Sequence, residues 1–456
     1  MLDILFVYFN QSTYDSGDSI LHYLQSKQSF EYQSYFLSVW AKPVFVLLSS
    51  PFAQFGFIGM KLFNTLCVLF TIYFSYKITL KRFPTYSIMM WVIGLFSVHL
   101  FLIQSSGLTE PLLALFLAAA LYFYLADRQS LAAIIMSFTP MIRSEGWILL
   151  MVFFVWMAYE KQCKNMLLLS VGALIYSGLG YLYHHDFGWL FHQNPYVGVE
   201  EKYGSGELFH FVKQLPYLLG WPVAILLCFG LIHHLVLFIK SKFRFQSYSF
   251  LVIGCFLGLL VAHSLFWYFG LFHSFGLKRV LIAVAPCMIL LAFDGFIWMY
   301  TEVKSVKYKT LVLLGFAAIL IIFPFSKNKA GFEMPQDFKL EPSQILVKRA
   351  SDWYVDTYPT RPTVSFGDYY FAETLGVDID DTKEAILINA VKDNLIKPGT
   401  IVFWDDYFCF SDQGVDESYF DPLSYQILKK FEATNANGIH TNRIVVYLKS
   451  PTNPKS

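Results

Sequence analysis

The chain has 456 residues, of which 56% are hydrophobic and only 15% are charged. Soluble domains carry about 25% charged residues, so the composition excludes an ordinary soluble protein and predicts an integral, multi-pass membrane protein. The net charge of +1 excludes a strongly basic surface, and we expect no nucleic-acid partner.

The N-terminal apolar stretch 1–9 is shorter than the roughly 20 residues that a membrane crossing needs. Longer apolar runs follow along the chain, and we predict about ten or eleven transmembrane helices within residues 1–326. These runs are 57–78, 86–104, 109–126, 130–142, 145–159, 166–184, 217–239, 247–269, 279–299 and 308–325.

Basic residues predict the orientation of these helices. Every second connection is short and rich in Lys and Arg, as at Lys240, Lys242 and Arg244, and such connections lie in the cytoplasm. The loops 11–56 and 185–216 are then external. Since 11–56 is external, we expect an earlier crossing, with a first helix that begins upstream of residues 1–9. The lack of eukaryotic sorting signals favours a bacterial inner membrane and a periplasmic external face.

The tail 327–456 changes character and predicts a small soluble α/β domain on the external side. Helical patterns at Ser343–Tyr354, Thr382–Asn394 and Pro422–Glu432 alternate with strand-like runs at Thr363–Phe366, Thr400–Trp404 and Arg443–Leu448. The tail has no glycine-rich phosphate loop and no Ser/His/Asp set. We therefore interpret it as a lid or a recognition domain.

Ionisable residues at membrane depth indicate function, and here they fall almost wholly on the predicted external face. The opposite face is expected to offer only basic anchors. This asymmetry predicts an external active site that is fed from the membrane. The external ionisable residues include Asp15, Asp18, His22, Glu31, Lys42, Glu110, Arg143, Glu145, His184, His185, Asp186, Lys202, Glu207, His263, His273, Lys278 and Arg279.

The first external loop contains Asp15 and Asp18, which are three residues apart and would share one face of a helical turn. Two such carboxylates can hold a divalent cation, or one can act as a general base. Helix capping explains them equally well.

Two further polar clusters lie at the external ends of apolar runs. Glu110 precedes Pro111 and suits a helix N-terminus. Arg143 lies between two apolar segments, where its guanidinium suits a phosphate or carboxylate; a local ion pair with Glu145 is the alternative.

The later external loops give weaker signals. His185, Lys202 and Tyr203 lie in an aromatic-rich loop that suits either a sugar or the membrane interface. Lys278 and Arg279, which follow His273, are basic on a face where basic residues are disfavoured. They indicate either a retained anion or a contact with lipid headgroups.

In this order the motifs resemble the GT-C superfamily of polyprenyl-phosphate-sugar-dependent membrane glycosyltransferases, and especially its mannosyltransferase-like and protein-mannosyltransferase-like members. The resemblance lies in the acidic first loop, the Trp40-Ala41-Lys42-Pro43 entry, the Thr109-Glu110-Pro111 helix start and the Arg143-Ser144-Glu145-Gly146 turn.

The resemblance implies an inverting transfer of a sugar from a polyprenyl-phosphate donor to a glycan, lipid or protein. Asp18, with Asp15 as the alternative, would be the catalytic carboxylate, and Arg143, Lys278 and Arg279 would bind the donor phosphate. Asp15 and Asp18 are the candidate ligands if a Mg or Mn ion is bound. The resemblance does not decide this point, because this sequence has Asp18-Ser19 where several relatives have two adjacent acidic residues. Substrate-binding candidates are His22, Glu110, Glu145, His185, Lys202, Tyr203 and His273.

Other functional classes fit the sequence less well. A transporter or lipid flippase would show an internal repeat or charged residues in mid-span, and neither is evident. An envelope phosphotransferase or acyltransferase with its chemistry in the tail would need a nucleophile and metal ligands there, and His440 is the only histidine after His273.

Overall fold

The computed structural model describes residues 2–193, 203–304, 306–334, 336–434 and 440–451. The chain divides into two compact units. The first contains the residues up to Phe9 and Gln25–Asp337, and the second contains Asn10–Leu24 with the residues from Phe338 onward. The boundary thus lies near residue 337, compared with the expected 326. The segment 10–24, expected in the membrane domain, groups with the tail.

Within the described residues, six helical segments are long and apolar enough to cross a membrane, and four shorter apolar helices accompany them. The prediction of a polytopic helical fold is confirmed. The long segments are Phe57–Arg82, Cys163–His184, Trp221–Lys240, Ser247–Phe269, Lys278–Thr301 and Tyr308–Phe325. The shorter ones are Pro43–Ala53, Glu110–Leu125, Gln129–Met141 and Gly146–Tyr159.

The α-helices have the following bounds in chain order: α1 Leu2–Phe9, α2 Asp18–Gln28, α3 Pro43–Ala53, α4 Phe57–Arg82, α5 Met89–Leu95, α6 Val98–Leu102, α7 Glu110–Leu125, α8 Gln129–Ser137, α9 Gly146–Tyr159, α10 Cys163–Leu168, α11 Val171–His184, α12 Trp189–His192, α13 His210–Leu219, α14 Trp221–Lys240, α15 Ser247–Phe269, α16 Ala285–Thr301, α17 Val306–Ile322, α18 Pro342–Thr357 and α19 Tyr370–Leu375.

Helix α16 forms the centre of the first unit, and nearly all of its side chains are buried. A helix that is apolar nearly all round is covered either by protein or by lipid, and here protein covers it on most sides. Glycines allow α14 to approach it closely, because a Cβ atom on Gly230 would lie 1.9 Å from the Leu291 carbonyl oxygen. The predicted span 86–104 is instead broken at Phe96 and Ser97, between α5 and α6.

The second unit is built on a five-stranded sheet in the described residues. Its strands are β1 Val364–Phe366, β2 Ala385–Leu387, β3 Ile401–Asp405, β4 Tyr425–Thr434 and β5 His440–Lys449. The spatial order is β2-β1-β3-β5-β4. Strand β1 is parallel to β2 and β3, whereas β5 is antiparallel to β3 and β4. The predicted small α/β domain is confirmed.

Two predicted helices of the tail are wrong. The segment Thr382–Asn394 contains β2 and a short 3-10 turn at Ile388–Val391. The segment Pro422–Glu432 is largely β4. Strand β4 is paired along its length with β5, the strand that follows it, so this cross-strand pairing outweighs the local helical pattern.

The segment 10–24 belongs to the fold of this second unit. The Gln11 amide donates to the Phe338 carbonyl at 3.1 Å, and Gln344 donates to the Thr13 hydroxyl at 2.9 Å. Gly17 lies beside the Phe408 ring. The segment is therefore an integral part of the unit.

Two buried carboxyl groups lie at the carboxyl ends of the adjacent strands β1 and β3. Asp368 is 1% exposed and Asp405 is 6% exposed. Burial, together with the charge of Asp405, raises the pKa of Asp368 well above its usual range. Burial also raises the pKa of Asp405, although the Cys409 thiol and nearby amides donate to it and oppose this shift. Asp368 therefore retains its proton far above the pH at which an exposed aspartate loses it.

Candidate active site

The candidate site of the first unit is built around Arg143, in the turn between α8 and α9. The Arg143 amide donates to the Thr139 carbonyl at 3.1 Å, and the Gly146 amide donates to the Arg143 carbonyl at 2.9 Å. A Cβ atom on Gly146 would lie 2.3 Å from the Thr139 carbonyl carbon. Only glycine fits at that position, so the turn is tight and holds the arginine in place.

Arg143 makes ion pairs with two carboxylates. Its Nη1 lies 3.0 Å from Glu110 Oε1, and its Nη2 donates to Glu145 Oε1 at 2.8 Å. Nη1 also donates to Thr109 Oγ1 at 2.9 Å. Glu110 is the first residue of α7 and is fully buried. The predicted local ion pair of Arg143 with Glu145 is therefore present. Glu110 lies at a helix N-terminus, as predicted, and belongs to the same cluster.

Other basic groups extend this cluster. Arg279 Nε lies 3.7 Å from Glu110 Oε1, and His263 Nε2 lies 3.6 Å from Glu145 Oε1. Within the turn itself, Ser144 Oγ accepts a hydrogen bond from Lys42 Nζ at 3.3 Å.

Lys42 has a strained backbone and is 7% exposed, with a positive φ of 68° just before α3. Strain of this kind concentrates at functional sites.

The cluster has unused hydrogen-bonding capacity. Both carboxylate oxygens of Glu110 are buried, and neither has a well-aligned hydrogen-bond donor in the described part of the chain. Arg143 Nε is likewise buried without an acceptor among the described residues. Buried polar groups are normally bonded, and exceptions call for an explanation such as a ligand or ordered water. A bound ligand could therefore donate a hydrogen bond to Glu110 and accept one from Arg143 Nε.

The predicted acidic motif of the first loop lies in the second unit. Asp15 Oδ1 accepts hydrogen bonds from the amides of Gly17 and Ser19, at 3.1 and 3.2 Å, which is the capping arrangement. Asp18 is the exposed first residue of α2, and His22 is buried. Asp15 therefore has a structural role in its turn, while the Asp18 side chain faces solvent.

The remaining predicted residues that the structure describes lie at helix ends and in loops of the first unit. His185 is the exposed, left-handed C-cap of α11. Tyr203 packs edge-on against His273, with ring centroids 6.0 Å apart. Lys278, at the start of the 3-10 turn before α16, is half-buried with Asp337 and Glu333 as its acidic neighbours. Lys202 lies outside the described residues.

Sequence reasoning missed part of the polar architecture. Lys42 and His263 were recognised only as external ionisable residues. The prediction that the Lys/Arg-rich face offers only basic anchors is wrong, since Asp294 and His234 are buried at that end. Asp294 gives little signal in sequence because it stands alone in an apolar run. Among the described residues, no group of three or more His, Cys, Asp or Glu side chains is arranged to hold a metal ion.

Comparisons with known proteins address the fold. The chain is similar to the crystal structure of ArnT from Cupriavidus metallidurans bound to undecaprenyl phosphate, with a TM-score of 0.60, 12% identity, and coverage of 97% of this chain and 96% of that one. The apo structure of the same protein gives a TM-score of 0.61 at 12% identity, covering 98% and 96%. No protein-family model matches the chain, and no curated protein matches it.

The predicted GT-C-like fold is confirmed by this likeness, which extends over nearly the whole chain.

Proposed function

We propose that the chain is a membrane glycosyltransferase that moves a sugar from a polyprenyl-phosphate donor to a glycan, lipid or protein acceptor. The observation that carries the proposal is the buried Arg143–Glu110–Glu145 cluster within an ArnT-like fold. The structure of ArnT with undecaprenyl phosphate supports a donor of the same chemical class. We place the site on the periplasmic side of a bacterial inner membrane, from the distribution of Lys and Arg.

The charges of the cluster suit a lipid phosphate. Arg143, Arg279 and Lys42 supply three positive charges, and Glu110 and Glu145 supply two negative ones. With His263 neutral, the formal sum is +1. All five side chains are largely buried, and at low dielectric a fixed positive site stabilises the developing negative charge of a leaving phosphate strongly.

The proposed reaction is a single displacement. The acceptor hydroxyl attacks the anomeric carbon, the bond from that carbon to the phosphate oxygen breaks, and the configuration inverts. Arg143 and Arg279, assisted by Lys42 and Lys278, stabilise the departing polyprenyl phosphate. The hydroxyl proton passes to a carboxylate. The family resemblance assigns this carboxylate to Asp18, with Asp15 as the alternative.

Glu110 has a different proposed role. Its oxygens are buried without a well-aligned donor among the described residues, so it can accept a hydrogen bond from a sugar hydroxyl while it orients Arg143. Glu145, His263 and the external loop residues His185, Lys202, Tyr203 and His273 remain candidates for contacts with the sugar or the acceptor, as does His22 from the first loop.

The test is transfer of radiolabelled sugar from a panel of polyprenyl-phosphate sugars into lipid, glycan or protein in membranes that contain the chain. We expect Arg143→Ala to lose transfer by roughly 10²–10³-fold, the loss typical of removing one stabilising group. We expect Asp18→Asn to lose transfer by roughly 10²–10⁴-fold, the usual contribution of a general base. Arg128→Ala is the matched control, because Arg128 is an exposed arginine in the α7–α8 connection.

The outcomes separate the parts of the proposal. If the wild-type chain consumes no donor of the panel, the proposed function is wrong. If Arg143→Ala loses transfer while Asp18→Asn keeps it, the phosphate site stands and the assignment of the proton acceptor fails. Equal loss in Arg128→Ala would show that the changes act through protein level or folding.

A further inference from the structure

A second polar cluster lies at the opposite end of α15 from the candidate active site. His263, near the C-terminus of α15, belongs to the Arg143 cluster. Tyr248 and Ser249, in the first turn of the same helix, belong to the second cluster. Ser249 and His263 are 14 positions apart in the sequence, which corresponds to about 21 Å along a helix. The second cluster lies beside the basic α14–α15 connection and is separate from the first.

Asp294 of α16 is the centre of this second cluster and is 2% exposed. Arg82 Nη1 donates to its Oδ1 at 2.7 Å. The Tyr248 hydroxyl donates to its Oδ2 at 2.6 Å, and His234 Nε2 lies 2.8 Å from the same oxygen. Four helices, α4, α14, α15 and α16, therefore meet at one carboxylate that carries a full set of donors.

The other ring nitrogen of His234 reaches a serine, with His234 Nδ1 lying 2.9 Å from Ser249 Oγ. Because Asp294 is the acceptor of an ion pair with Arg82, His234 must carry its proton on Nε2 to donate to that carboxylate. A neutral His234 then presents a lone pair at Nδ1, so the Ser249 hydroxyl is the donor. Ser249, His234 and Asp294 thus form a linear relay from hydroxyl to imidazole to carboxylate, the arrangement that activates a serine nucleophile.

Ser249 is the member that a purely structural clamp does not need, because Arg82, Tyr248 and His234 already satisfy Asp294. Two other helical serines, Ser49 and Ser75, each donate instead to the carbonyl four residues earlier in their own helix. Ser249 is half-buried, and it occupies position N3 of α15. The first-turn amides of a helix lack intrahelical acceptors and can stabilise an oxyanion there.

We propose that Ser249, His234 and Asp294 form a second catalytic site that hydrolyses carboxylic esters at the membrane surface. Ser249 Oγ attacks the ester carbonyl carbon and passes its proton to His234 Nδ1. The carbon–oxygen ester bond then breaks, and His234 returns the proton to the leaving alcohol. Water, deprotonated by His234, releases the acid from Ser249. Membrane lipids carry such esters at headgroup depth, where the basic connection that precedes α15 is expected to lie.

The experiment uses the full chain, purified in detergent, and a fluorescent fluorophosphonate as the probe. This reagent forms a bond between phosphorus and an activated serine oxygen and expels fluoride. We expect labelling of the wild-type chain, mapped to Ser249 by peptide mass spectrometry, and none at that position in Ser249→Ala. In His234→Gln we expect labelling slower by roughly 10²–10⁴-fold, the usual contribution of a general base.

Ser241→Ala is the matched control. Ser241 lies in the adjacent α14–α15 connection, but its hydroxyl donates to the carbonyls of Phe238 and Arg244. Its loss should leave labelling unchanged. Thermal unfolding identifies a temperature at which all variants are folded, and hydrolysis of a short-chain fluorogenic ester is followed there. No labelling of the wild type, or equal labelling and ester hydrolysis in Ser249→Ala, would overturn the proposal and leave the cluster a structural clamp.

Discussion

Replacement of Arg143 tests the energetics of the candidate site directly. Arg143→Met removes the ion pair with fully buried Glu110 at 3.0 Å and leaves Glu110 with Arg279 at 3.7 Å. With an effective dielectric constant of about 20, the lost attraction is about 5.5 kcal/mol before desolvation. Breaking a buried pair by removing one partner generally costs about 3–5 kcal/mol. We therefore expect Arg143→Met to lower the free energy of unfolding by about 3–5 kcal/mol.

The double variant Arg143→Met/Glu110→Gln distinguishes the ion pair from lost packing. Removal of both charges relieves the stranded carboxylate, so the double variant should be more stable than the sum of the single changes by about 0.5–3 kcal/mol. Equilibrium denaturation in mixed micelles measures the wild type, Arg143→Met, Glu110→Gln and the double variant. Arg128→Met is the exposed control. The charge argument fails if the two changes are additive, or if Arg143→Met is as stable as the control. Sugar transfer should stay lost in the double variant, because the gain in stability does not replace Arg143, the proposed ligand of the donor phosphate.

Individual contacts give three further predictions. Gly230→Ala places a methyl group 1.9 Å from a backbone oxygen of α16 and should destabilise the first unit by about 1–3 kcal/mol. Gly178→Ala is the control, because there is open space around Gly178, and it should not destabilise the unit. Thermal unfolding compares the two variants. The pKa of Asp368 is raised in the folded state. The contribution of this group to the free energy of unfolding is therefore complete below the unfolded-state pKa of about 3.9 and is lost as the pH rises through the folded-state pKa. The loss is about 1.4 kcal/mol for each pH unit that separates the two pKa values. Asp368→Asn should slow hydrogen exchange of β1 at pH 8, and no change there would contradict the raised pKa. Asp15→Asn keeps an oxygen that can accept the turn's hydrogen bonds and should retain both stability and transfer, whereas Asp15→Ala should lose about 1 kcal/mol; loss of transfer in the Asn variant would make Asp15 the proton acceptor.

The helical membrane fold could be predicted because long apolar runs and basic connections are local signals. The ion pair of Arg143 with Glu145 could also be predicted, since only one residue separates them. The pair with Glu110 joins positions 33 residues apart and required the packing of α7 beside the turn. Strand β4 was missed because its pairing with β5 decides its conformation. Asp294 escaped notice because its partners Arg82, His234 and Tyr248 come from three other helices.

The composition of the second unit has a consequence for the order of folding. Thr13 and Gln344, which share a hydrogen bond, are 331 residues apart in the chain. At ribosomal rates of about 5–20 residues per second, Gln344 is synthesised on the order of 20–60 s after Thr13. The segment 10–24 is therefore made long before the residues that it contacts in the second unit. A fragment that begins at Phe338 would lack one of its own structural elements, however well its strands are formed.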